Sequence, residues 1–229
     1  MMIGNTRKTS IMHVGGFTPT CNPFASHFGL TPLALPNETW PTYRDSDTAE
    51  EKPLFFVCQL NLTEAPYVPH LLKDIKLITL FVHPDLLDTE RWCIRAYKTF
   101  EGLIPLQIPG ENTFKQGVEV SWELALDQPV CDDPALIFPD HKNLDEKETE
   151  DFFAQLNNLH LSKLGGYSSN IQSEPWWDDQ EHPANPKYCL QIDSEDDIGL
   201  HWGDLGTFYI ARGTSPGFED QWFVDCQCY

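Results

Sequence analysis

Apolar and polar positions divide this chain into short segments, and most of them carry a strand signature. Residues 54–62 read Leu-Phe-Phe-Val-Cys-Gln-Leu-Asn-Leu, rich in aromatic and β-branched side chains, with Pro53 before and Thr63-Glu64 after. Residues 77–82 form an almost unbroken apolar run ended by Pro84, the pattern of a strand covered on both faces. Residues 91–99 alternate Trp92, Ile94 and Ala96 against Arg95 and Lys98. Residues 118–126 set Val118, Val120, Trp122, Leu124 and Leu126 on one side and Glu119, Ser121 and Glu123 on the other, predicting a half-buried strand. Shorter strands are expected at 11–14 and 224–228. Helical spacing is confined to two places. A short turn is expected within 66–76, with Leu71, Leu72 and Ile75 on one face. A longer helix is expected over 144–160, where Asp145, Glu146 and Glu148 suit the positive end of the dipole and Phe152, Phe153, Leu156 and Leu159 form the apolar stripe.

These segments recur. Ser26, Gly29, Leu35, Glu38 and Trp40 reappear as Ser162, Gly165, Ile171, Glu174 and Trp176, each 136 positions later. The run Phe56 to Asn61 is echoed by Tyr188 to Asp193 at an offset of 132, and 77–82 by 207–211 at about 130. Order is kept while the offset shrinks, as in a duplicated unit with small loop deletions. The first repeat spans about 26–82, a connecting section about 85–160, the second repeat about 162–212, and a terminal strand runs on to 229. A unit of about 60 residues buries too little surface to stand alone, so one domain of 1–229 is expected. The expected fold is α+β, with a largely antiparallel sheet and pseudo-two-fold symmetry. Trp40 and Trp176 are expected to anchor its core.

Charge changes the functional picture more than composition does. Asp and Glu number 35 against 15 Lys and Arg, a formal charge of −20. Such a field repels nucleic acids and anionic membranes and attracts basic proteins. The acids fall in runs at 145–151, 178–181 and 193–197. No stretch approaches the roughly 18 apolar residues of a membrane span. The first twelve residues lack a long apolar core, so a cytoplasmic protein is expected. The seven cysteines are irregularly spaced and read as reduced thiols.

Motifs of chemistry are incomplete. Ser162-Lys163-Leu164-Gly165-Gly166 is glycine-rich but opens no helix, so it is not a phosphate cradle. Asp193, Glu195 and Asp197 alternate as in a calcium loop, yet Ile198 stands where that loop needs glycine. There is no Gly-x-Ser-x-Gly and no His-Glu-x-x-His, and no catalytic residue, cofactor or metal is expected. The alternative is a small-molecule- or metal-binding protein, or an enzyme, with a pocket between the repeats near Asp193, His201, Trp202 and Asp204.

The motifs Ser26-His27-Phe28-Gly29-Leu30, Leu35-Pro36, Trp40-Pro41 and 53–62, with Ser162 to Tyr167, Leu190 to Ser194, Trp202-Gly203-Asp204-Leu205-Gly206 and Gln227-Cys228-Tyr229, resemble the YwqG-like family, a domain of unknown function. Leu30 stands where that pattern usually has a second glycine, so the turn there is expected to differ. The resemblance supplies no catalytic residues. Some members look like immunity proteins that neutralise secreted bacterial toxins. It therefore implies a non-enzymatic acidic protein that binds a basic toxin, such as a nuclease. The expected contact residues are Asp178, Asp179, Glu181, Asp193, Glu195, Asp196, Asp197, Trp202 and Asp204.

Overall fold

The computed structural model describes residues 6–131, 133, 136, 145–177 and 182–229. Its main sheet has ten strands. They are β1 (Arg7–Val14), β2 (His27–Phe28), β6 (Phe55–Asn61), β7 (Leu77–Val82), β8 (Trp92–Tyr97), β10 (Val118–Asp127), β11 (Lys163–Gly165), β12 (Lys187–Asp193), β13 (Thr207–Arg212) and β14 (Trp222–Gln227). Two small ribbons flank it: β3 (Leu33–Ala34) with β9 (Ile104–Pro105), and β4 (Thr42–Arg44) with β5 (Glu51–Pro53). The order across the large sheet is β14-β13-β12-β11-β1-β10-β2-β6-β7-β8, with antiparallel neighbours throughout.

Read from its centre, that order is the same in both directions. β2, β6, β7 and β8 lead outward on one side, and β11, β12, β13 and β14 on the other. β1 and β10 pair along their length, from Arg7 opposite Asp127 to Val14 opposite Val120. Each of these two strands precedes one repeat in the chain but pairs with the first strand of the other. The halves are thereby interlocked. One apolar cluster draws Phe28, Cys58, Leu60 and Leu80 from one half and Leu190, Ile192, Phe208 and Val224 from the other. Neither half could bury that surface alone.

The α+β expectation is corrected: strands make the framework, and the sheet curls into a nearly closed barrel. The predicted helix over 144–160 shortens to α1 (Glu146–Phe153), capped by Asp145 and Glu148 in a reciprocal capping box. Beyond it the chain turns back to β10. Gln128 N–H donates to the Asn157 carbonyl at 3.2 Å, and Asn157 N–H to Oε1 of Gln128 at 2.7 Å. Asn158 adds a bond to the Gln128 carbonyl, so these residues are tied to the strand end and cannot extend the helix. The turn expected within 66–76 is a single 3₁₀ turn, His70–Leu72. Among the described residues this one two-turn helix makes no layer.

Two further expectations need correction. Trp40 is half-buried and Trp176 is 37% exposed, so neither is a fully buried anchor. The adjacent Trp177 is the buried one, packed with Tyr209, Ala211 and Phe223. In β10 the expected faces fail at both ends. Leu124 and Leu126 are about half exposed, whereas Glu119 and Asp127 are buried.

The open ends of the sheet meet through ions. Arg212 of β13 donates to both carboxylate oxygens of Asp74, at 2.7 and 3.2 Å, and to the Leu71 carbonyl. That guanidinium holds the Asp74 carboxyl down at about 2. Lys98, just past β8, adds a 3.1 Å ion pair to the same carboxylate. A cavity of about 400 Å³ lies along this seam.

Candidate functional site

The acidic turn between β12 and β13, counted from Asp193 at the end of β12, contains six of the nine expected contact residues. It is held from beneath. Ser194 Oγ donates to the Gly206 carbonyl at 2.9 Å and accepts from Trp202 N–H at 3.1 Å. Glu195 and Leu200 exchange backbone bonds of 2.8 and 3.1 Å around a 3₁₀ turn, Asp196–Ile198, which ends on left-handed Gly199 at φ +71°. Ile198, Leu200 and Trp202 are buried. Trp202 stacks on Phe208 with ring centres 4.7 Å apart. Gly206 is obligatory here, because a Cβ would lie 2.0 Å from the Trp202 carbonyl.

The acids on this turn divide into two sets. Asp193 and Glu195 face inward. Asp193 Oδ1 accepts from Thr207 Oγ1 at 2.8 Å and from Ser194 N–H at 3.0 Å. Glu195 Oε1 accepts from Ser162 Oγ at 2.8 Å, and that hydroxyl accepts in turn from Asp193 N–H. Burial pushes both carboxyls above their ordinary range, and in Glu195 the neighbouring acids add to it. Asp196, Asp197 and Asp204 face solvent. Asp196 has His201 Nδ1 at 3.5 Å, with both side chains more than half exposed. Trp202 is fully buried and offers no aromatic surface to a partner. Asp178, Asp179 and Glu181 lie outside the described residues. At the positions of the alternative pocket, Asp193 turns to Thr207 and His201 lies beside Asp196, while Asp204 is exposed. Among the described residues no group of three or more His, Cys, Asp or Glu is placed to hold a metal ion.

Two carboxylates that sequence alternation placed on the polar side of β10, or past its end, sit against buried cationic or titratable groups. In the second half, Lys163 Nζ is 2.8 Å from Asp127 Oδ2 and 3.0 Å from Ser169 Oγ, with both charged side chains fully buried. Asp127 also accepts the N–H groups of Tyr167 at 2.8 Å and Leu159 at 2.9 Å. Burial lowers the Lys163 ammonium from its ordinary value, and Asp127 opposes that. In the first half, His27 occupies the repeat position of Lys163 and lies directly opposite Glu119 in the β2–β10 register. Glu119 accepts from Thr20 N–H and Oγ1, at 2.8 and 2.9 Å, and from Cys21 N–H at 3.0 Å. Burial pushes the Glu119 carboxyl up, but these donors prevail and hold it below its ordinary value. His27 is lowered to about 4 by burial, against the pull of Glu119 and the Thr31 backbone.

His27, Glu119 and Cys21 line a cavity of about 240 Å³. Sequence reasoning passed over this place, because 92 positions separate His27 from Glu119. The available signal was the pairing of His27 with Lys163 across the repeats: a polar residue at the same interior position in both copies.

The described residues thus form an almost all-β, nearly closed sheet whose strand order repeats outward from its centre, with an acidic turn and a cavity lined by His27, Glu119 and Cys21. The chain belongs to the family described as Domain of unknown function (DUF1963), whose model matches residues 26–212. No curated protein matches the chain in sequence.

Proposed function

We propose that this is a non-catalytic acidic binding protein whose partner is a basic protein. The role we infer is of the immunity type, neutralising a basic bacterial toxin such as a nuclease in the cytoplasm of the producing cell. The link to immunity rests on the YwqG-like resemblance. The observation that carries the binding reading is the division of the acidic turn. Its apolar residues and inward carboxylates are fixed, while Asp196, Asp197 and Asp204 are exposed on a rigid support. A rigid charged rim loses little entropy when it docks. The overall charge of −20 draws a basic partner from a distance. Asp193 and Glu195 serve by shaping the turn, and the exposed acids make the contact.

The test is the rate of association with the basic protein recovered from the native cell by pull-down, measured against ionic strength. Screening lengths shrink from about 10 Å at 0.1 M salt to about 8 Å at 0.15 M and further beyond. The wild-type rate should fall steeply with salt. The Asp196→Asn/Asp197→Asn/Asp204→Asn variant should associate more slowly and with a flatter salt dependence. A wild-type rate indifferent to salt would overturn the proposal and leave the acidity to solubility alone.

A further inference from the structure

The run Trp202-Gly203-Asp204-Leu205-Gly206 closes the turn between β12 and β13, and its contacts reach the other half of the molecule. Gly203 lies at φ +64°, and a Cβ there would stand 2.9 Å from Sγ of Cys228 and 3.2 Å from Cδ2 of Leu87. Leu87 belongs to the loop between β7 and β8, residues 83–91, so loops of the two halves meet at this glycine. Tyr229 N–H donates to the Asp204 carbonyl at 3.0 Å and brings the chain after β14 to the same place. Both loops are braced from within. In 83–91, Asp85 Oδ1 accepts from Leu87 N–H at 3.3 Å, and Asp88 Oδ1 accepts from the N–H groups of Glu90 and Arg91 at 2.9 and 3.1 Å. The β12–β13 turn is held by Ser194 and by the Glu195–Leu200 exchange.

On that fixed frame two leucines are turned to solvent. Leu87 is 51% exposed and Leu205 is 63% exposed. Leu205 also holds a left-handed backbone at φ +48°, a conformation a bulky side chain rarely adopts, so neither burial nor backbone preference accounts for it. Single exposed leucines are ordinary, whereas a group rimmed by polar residues marks an interaction surface. The rim here is acidic. Asp85, Glu90, Asp196, Asp197 and Asp204 are all exposed on these two loops. No Lys or Arg occurs in 194–206, and the one in 83–91, Arg91, lies 3.2 Å from the Asp88 carboxylate.

We propose that the two loops form one docking surface, in which Leu87 and Leu205 seat an apolar side chain of a basic protein while Asp85, Asp196, Asp197 and Asp204 pair with the Lys and Arg around that side chain. The inference rests on the reading of the protein as a binder of basic proteins, and adds to it an apolar centre and a second loop from the first half. An apolar core within a charged rim is the usual anatomy of such a contact. Other occupants fit less well. A second copy would set acid against acid at a net charge of −20. A wholly apolar partner would cover the carboxylates without pairing them.

The experiment is a ¹H–¹⁵N NMR titration of the full chain with two peptides of equal charge, Ac-Lys-Lys-Leu-Lys-Lys-amide and Ac-Lys-Lys-Ser-Lys-Lys-amide. The leucine peptide should saturably shift the amides of Leu87, Asp204 and Leu205 and bind about fivefold more tightly than the serine peptide. Leu205→Asn removes the apolar side chain and keeps a residue that tolerates left-handed backbone, so it should erase that preference. Leu126→Ser, on β10 four strands from β13, should preserve it. Equal affinity of the two peptides for the wild type, no binding of either, shifts confined to other acidic segments such as 145–151, or a preference that survives Leu205→Asn would each overturn the docking surface. None of these outcomes touches the salt dependence of association with the pulled-down basic protein. Loss of that dependence with the peptide preference intact would sink the earlier reading and keep the surface.

Discussion

The His27 and Lys163 positions are the same place in two copies of one unit, and they have opposite outcomes. Around Lys163 the ammonium is paired with Asp127 and Ser169, and the carboxylate also with three backbone N–H groups. Around His27 one ring nitrogen is orphaned and a cavity remains. The glycines follow the same division. Gly166 sits at φ +74°, and a Cβ there would lie 2.3 Å from Asp127 Oδ2. The second copy therefore needs its second glycine so that the carboxylate can approach. The first copy has no carboxylate at that point and carries Leu30, which is exposed and outside the left-handed region. Matching positions thus carry a closed ion pair in one half and an open cavity in the other.

The largest expected effect tests the latch. Asp127→Ala leaves the Lys163 ammonium buried without its partner, and breaking such a pair costs about 3–5 kcal/mol. Glu119→Ala removes a carboxylate that serves backbone and hydroxyl donors near the surface, at a cost of about 1–3 kcal/mol. Urea denaturation of both variants measures the gap. Equal losses would mean that the two carboxylates do the same work, and the contrast between the halves would collapse.

Much of this framework was legible in sequence, and the reason is local. The strands at 54–62, 77–82 and 91–99 announce themselves by short-range alternation and by Pro boundaries, and all three form. The helix over 144–160 was overread because apolar spacing reports only what a helix could bury. It cannot show that Asn157 and Asn158 are claimed by Gln128, some 30 positions earlier. The same limit hid the cavity. The fate of Glu119 depends on a register that sets it opposite His27, and of Asp127 on contacts with Lys163 and Tyr167. Trp202 reads as a contact residue because its neighbours are polar and glycine-rich. Its stacking on Phe208 is a tertiary fact.

A second test exploits pH. His27 falls from an ordinary 6.5 to about 4 because burial disfavours its charged form. The unfolded chain then binds the proton more readily than the folded one. The resulting stability is fully present above pH about 6.5 and is lost as pH falls toward about 4, in total about 3 kcal/mol. Glu119, held below its ordinary value, contributes in the same direction only toward the acid end of that window. Stability of the wild type and of His27→Phe should therefore diverge in slope between these limits, with the variant the flatter. Parallel curves would show that His27 protonates freely in the folded state, which would contradict its burial.

The smallest expected contrast asks whether the two copies remain equal where function has not separated them. Gln59 and Gln191 occupy matching places in β6 and β12. The Gln59 amide donates to the Pro23 and Ala25 carbonyls, at 3.0 and 3.1 Å, and its oxygen accepts from Leu33 N–H at 2.8 Å. The Gln191 amide donates to the Leu161 carbonyl at 3.1 Å, and its oxygen accepts from Ser169 N–H at 3.0 Å and Tyr188 OH at 3.1 Å. Ala25 and Leu33 are the repeat partners of Leu161 and Ser169, so two of the three bonds on each side chain are the same bond in different copies. Both glutamines are fully buried and pin an entering loop to the sheet. Gln59→Ala and Gln191→Ala should each cost about 1–3 kcal/mol, and the two costs should agree to within about 0.5 kcal/mol. Thermal or urea unfolding of the two variants side by side gives the comparison. A gap well beyond that would place the divergence of the halves in their scaffold and not only at His27 and Lys163. The open cavity would then be one symptom of a generally looser first copy. Matched costs would leave the difference confined to that single position and its carboxylate.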